Sequence, residues 1–74
     1  MTPYFRDNVL IKRSYLTEAM CRTVVQNPAR TEVQPDGRIR HWAFDASLGK
    51  WLRVVTLEDG ATLHNAFPDR NFLP

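Results

Sequence analysis

From Thr31 to Phe67 the sequence alternates short β-favouring runs with three turn signals, Pro35-Asp36-Gly37, Ala46-Ser47-Leu48-Gly49 and Asp59-Gly60. Short runs joined by glycine-bearing turns pair with their immediate neighbours, which constrains this half of the chain to an antiparallel meander. The spacing predicts four strands, at Thr31 to Gln34, Arg38 to Asp45, Lys50 to Glu58 and Ala61 to Phe67. Pro-Asp-Gly suits a three-residue loop with Gly37 in the left-handed region, and Asp59-Gly60 suits a two-residue type I′ turn.

A different period precedes this meander. Leu16, Met20, Cys21, Val24 and Val25 recur at the spacing of one helical face, whereas Glu18 and Arg22 lie four apart on the other side. Thr17 can cap the first turn and Leu16 can staple onto Cys21, while Asn27-Pro28 ends the run, so a helix is predicted over residues 17 to 26. Asn8 to Arg13 fits either a short helix capped by Asn8 or Asp7, or an extended arm. A short helical turn is favoured, because two brief helices cover a small sheet better than one. The expected fold is α+β: one or two N-terminal helices packed on one face of a four-stranded antiparallel meander sheet, a single small domain over residues 1 to 74.

Composition narrows the functional classes. With 74 residues, 43% of them hydrophobic, the chain can build one core, near the lower size limit at which burial offsets chain entropy. The lone Cys21 rules out an internal disulfide, and with only His41 and His64 beside it no metal site or cofactor is expected. No apolar run approaches the roughly 20 residues of a membrane span, and MTPYFRDN lacks the order of a secretory signal, so the expectation is a cytoplasmic chain without membrane contact. No glycine-rich phosphate loop and no nucleophile elbow is present. The net charge of +2 is small enough that the placement of the cations matters more than their sum.

Placement follows from the hairpin register, since directly opposed residues in antiparallel strands share a face. The loop lengths pair Val33 with Ile39, then Ile39 with Thr56, His41 with Val54, and Ala43 with Leu52. They also pair Thr56 with Leu63, Val54 with Asn65 and Leu52 with Phe67. One face then carries Val33, Ile39, Ala43, Leu52, Val54, Leu63 and Phe67, and should meet the Met20 and Val24 stripe. The other collects Arg38, Arg40, Trp42, Phe44, Trp51, Arg53, His64 and Ala66, with Glu32 opposite Arg40.

This second face is the candidate site. Guanidinium groups bind phosphate through permanently charged forked donors, and indole rings offer surfaces on which exposed bases stack, so Arg38, Arg40, Trp42 and Trp51 suit single-stranded nucleic acid. In the tail after the last strand Asp69 and Arg70 can fold back over the sheet edge, with Phe72 and Leu73 as anchors, so Arg70 is a further phosphate candidate, with an ion pair to Asp69 as its structural alternative. His64 titrates near neutral pH and is the candidate proton carrier for attack by a ribose 2′-hydroxyl, with Arg53 stabilising phosphoryl charge. The same pattern also suits a solvated sheet face in which Trp42 and Arg53 form a cation–π pair and Phe44 packs on Trp51. A third use is an apolar contact patch of Trp42, Phe44 and Trp51 in a homodimer or protein-interaction module. His41 should turn inward as a neutral core histidine, and Cys21 should be a buried small hydrophobe.

The order helix, Asn27-Pro28, Thr31-Glu32-Val33-Gln34-Pro35-Asp36-Gly37-Arg38-Ile39-Arg40 and Leu52-Arg53-Val54-Val55 resembles the RelE/ParE-type toxin superfamily, especially its BrnT-like and related small branches. That resemblance spans most of the chain. It implies helices on one side of an antiparallel sheet, metal-independent cleavage of messenger RNA in the ribonuclease members, and a cognate antitoxin as partner. It places Arg53, and Arg38 or Arg40, as phosphate contacts, while His64 rests on the register.

Overall fold

The computed structural model describes all 74 residues. Thr17 is extended (φ −123°, ψ 158°) and its hydroxyl accepts the Met20 N–H at 3.1 Å, starting helix α1, Glu18–Gln26. Leu16 and Cys21 are both buried, as the staple requires, and Glu18 pairs with Arg22 at 2.9 Å on the wet side. Upstream the chain does coil, but over Phe5–Leu10 and as a wide π-helical turn that buries Phe5 and Val9. The Thr2 hydroxyl accepts the Phe5 N–H at 3.1 Å, and the Thr2 N–H donates to the Leu63 carbonyl at 3.0 Å, fixing this segment to the sheet.

Four antiparallel strands follow: β1 (Arg30–Val33), β2 (Ile39–Asp45), β3 (Lys50–Thr56) and β4 (Leu63–Pro68), in the order β1-β2-β3-β4. Both helical segments pack on one face, giving the α+β architecture. Phe5, Val9, Leu16, Cys21 and Val24 meet Leu52, Val54, Leu63 and Ala66 in the core. Fully burying an aliphatic side chain is worth about 1.5–3 kcal/mol, so these nine residues supply most of what holds so small a chain together. The first two hairpins pair as the loop lengths dictate, Val33 with Ile39, His41 with Val54 and Ala43 with Leu52. Gly37 stands at φ 90°, a conformation that favours glycine in its three-residue loop.

The last hairpin departs from the expected register. A β-bulge lies on β4, facing the Val55–Thr56 step of β3: Thr56 still pairs with Leu63, but Val55 pairs with Asn65, leaving His64 as the extra residue. Every later pair shifts by one, so Ala66 enters the core opposite Val54 and Phe67 moves to the outer face opposite Arg53. The connecting turn is not type I′ either, since Asp59 has no positive φ. Its carboxylate instead accepts the N–H groups of Ala61 and Thr62 and the Thr62 hydroxyl, holding Asp59 in an Asx-type turn with Gly60 at φ 68°. These bonds hold the Asp59 carboxyl at about 2. Val33, expected under the helix, remains 72% exposed, because α1 packs across β2, β3 and β4.

Candidate nucleic-acid interface

The outer face is only half open, because the tail folds back across it. After Pro68 the chain turns at Asp69, which is 8% exposed. Its Oδ2 accepts the Trp42 indole N–H at 2.9 Å and Arg53 Nη2 and Nε at 2.9 and 3.2 Å. Its Oδ1 accepts the Asn71 N–H at 3.1 Å. The Trp42 hydrogen bond, and then Arg53, hold this carboxyl below its usual range despite burial. Phe72 follows, stacking on Trp42 with ring centres 5.1 Å apart and leaning on Trp51 at 4.9 Å. Arg30 lies over the Phe72 ring at 4.7 Å and donates to the Leu73 carbonyl at 3.0 Å, completing the strap.

This strap corrects the expected role of Trp42. The indole is 4% exposed, stacked on Phe72 and lying 5.4 Å from the Arg53 guanidinium, so no face is offered to a base. Asp69 is likewise not Arg70's partner; its charge is spent on Arg53 and Trp42, while Arg70 is exposed. Arg53 therefore acts first as an anchor for the tail, with its guanidinium also resting 4.8 Å from the Phe67 ring. Arg40 pairs with Glu32 at 3.5 Å, as a cross-strand neighbour should, and stands outside the pocket lined by Arg38 and His64.

What stays open is a pocket of about 310 Å³ beside the bulge. Arg38, Arg53 and His64 line it together, with Tyr4, Asn65 and Phe67. Arg38 leaves the first hairpin with its side chain 44% exposed and only a loose 3.6 Å pairing to Asp36. His64 is half-buried; its Nδ1 lies 3.0 Å from the Thr2 hydroxyl and its ring 5.1 Å from that of Tyr4. Burial, then the nearby Arg38 charge, push the imidazole below its ordinary 6.5, so at pH 7 it is neutral. Two cations and a neutral imidazole among aromatic rings can bind a phosphodiester and accept a proton beside it.

Trp51 and Arg70 fall elsewhere, in a second groove of about 770 Å³ at the end of the sheet, which also includes Phe67. His41 turns inward as expected, its Nε2 3.0 Å from the Thr56 hydroxyl, and burial lowers its proton affinity. Cys21 is buried and its thiol pushed up to about 12 by desolvation, which leaves it unreactive. No three His, Cys, Asp or Glu side chains lie close enough to share a metal ion, and no helix is long and apolar enough to cross a membrane.

Sequence reasoning missed Thr2, Tyr4 and Phe67. Tyr4 lines the pocket and Thr2 holds His64 only because the N-terminal segment docks against β4; the Thr2–His64 contact joins residues 62 apart and leaves no local pattern. An unbulged strand places Phe67 in the core, and the bulge turns it to the outer face instead. Comparison of the chain with protein families, curated proteins and solved structures gives no match.

Proposed function

We propose that this chain binds single-stranded RNA at the Arg38–His64 pocket and cleaves it by internal attack of a ribose 2′-hydroxyl. The observation that carries the reading is the convergence of Arg38, Arg53 and His64 in one pocket that the tail leaves uncovered. Arg38, the less committed cation, grips the phosphate, and Arg53 adds charge from the pocket wall. With Nδ1–H donating to the Thr2 hydroxyl, Nε2 of the neutral His64 is left with its lone pair for the 2′-hydroxyl proton. The 2′-oxygen bonds to phosphorus, the bond from phosphorus to the 5′-oxygen breaks, and water returns a proton to that oxygen. The products are a 2′,3′-cyclic phosphate and a 5′-hydroxyl. Resemblance to the RelE/ParE-type toxins supports the same chemistry and adds an antitoxin protein as partner.

The test is cleavage of an end-labelled single-stranded RNA in the presence of EDTA. Wild-type protein yields cyclic-phosphate ends, and His64→Ala and Arg38→Ala each lower the rate by about 100-fold or more with the fold intact by circular dichroism. Unchanged cleavage in both variants removes the assignment. Binding that weakens steeply with salt, without any product, selects a non-catalytic binder on the same face.

A further inference from the structure

The second groove lies where the β2–β3 turn meets the start of the tail. Its walls are aromatic, from Tyr15, Phe44, Trp51 and Phe67, and its cations are Lys50 and Arg70. Neither cation has a carboxylate within ion-pair distance, whereas Arg38 and Arg53 both do. The one acidic residue in the lining, Asp69, has its carboxylate turned to Trp42 and Arg53. Phe44 is 54% exposed and meets Trp51 edge-on at 5.8 Å, so the groove presents a hydrophobic ring that no residue of this chain covers. Aromatic walls beside unpaired cations match the two halves of a nucleotide, a flat base and an anionic phosphate.

Phe67 belongs to both the groove and the Arg38–His64 pocket. The pocket and the groove therefore adjoin at Phe67, within reach of one bound strand. We infer that the groove is a second nucleotide subsite, in which a base flanking the pocket-bound phosphate stacks on Phe44 or Trp51 while Lys50 and Arg70 hold the next phosphates. The inference rests on the RNA reading of the pocket and adds to it a minimum ligand length and a preference for unpaired strands, since a duplex does not release its bases to the walls.

Calorimetry of a dinucleotide and a hexanucleotide of RNA, both 2′-O-methylated so that the proposed cleavage is blocked, each with wild type, Lys50→Ala/Arg70→Ala and Arg38→Ala, tests it. Both altered groove side chains are exposed or at the groove rim, and circular dichroism checks the fold. The groove variant should bind the hexanucleotide about tenfold more weakly at 50 mM salt, with a salt slope reduced by about 1.4 for two lost phosphate contacts, and bind the dinucleotide as wild type does. Arg38→Ala should weaken both ligands. Unchanged hexanucleotide binding in the groove variant overturns the subsite and leaves the pocket standing. Equal loss on both lengths also overturns it. If wild type binds neither RNA, pocket and subsite fall together; binding of an acidic peptide in their place, lost in the groove variant, assigns the groove to a protein partner.

Discussion

Asp69 carries more of the outer face than any other side chain. One carboxylate accepts an indole N–H, two guanidinium donors and a backbone N–H, and it holds together strand residues Trp42 and Arg53 and the tail that crosses them. Removing it leaves a part-buried charge and a buried indole donor without their partner, which costs more than the ion pair itself contributes. Asp69→Ala should destabilise the chain by about 3 kcal/mol, read as a lowered urea midpoint at unchanged slope. A loss under about 1 kcal/mol, the range of exposed ion pairs, would show that the carboxylate is not acting as a buried anchor.

At the scale of elements, what the sequence reveals is local. Thr17, the Leu16–Cys21 staple and Asn27-Pro28 bound α1 within a few residues of one another, and the Gly37 and Gly49 loops set the first two hairpin registers by length alone. The α+β fold and the placing of Arg38 and Arg53 on one face follow from those local rules. The β3–β4 hairpin escaped them because Asp59 satisfies three donors in its own turn and the strand then carries one extra residue, His64. The return of the tail with Phe72 as an apolar anchor is legible in the sequence, although Leu73 stays exposed; the partners of Asp69 and Phe72 are not, because they lie across the sheet, where no periodicity reaches. Ending the chain after Pro68 should therefore cost more than Asp69→Ala alone, since Phe72 loses its burial as well, by roughly a further 1.5–3 kcal/mol. Equal stability of the two variants would mean that the Phe72 stack contributes nothing.

For the whole molecule, four titrating groups pull stability in one direction. His41 and His64 take up protons less readily when folded than unfolded, and so do the Asp59 and Asp69 carboxylates. The unfolded chain therefore binds more protons, and stability rises with pH through each range. It should be fully present above the unfolded histidine value near 6.5, decline as pH falls below it, and decline again below about 4 as the two carboxylates titrate. Urea midpoints at pH 7.5, 5.5 and 3 check both stages. A midpoint unchanged from 7.5 to 5.5 would mean that neither imidazole is held neutral by the fold. The two tryptophans complete this view from opposite extremes, one 4% exposed beneath the tail and the other bordering an open groove. A chain so arranged contains its own pair of optical reporters. With Trp51 replaced by Phe, the remaining emission shifts to the red only when the C-terminal strap peels away; with Trp42 replaced by Phe, it follows what enters the groove.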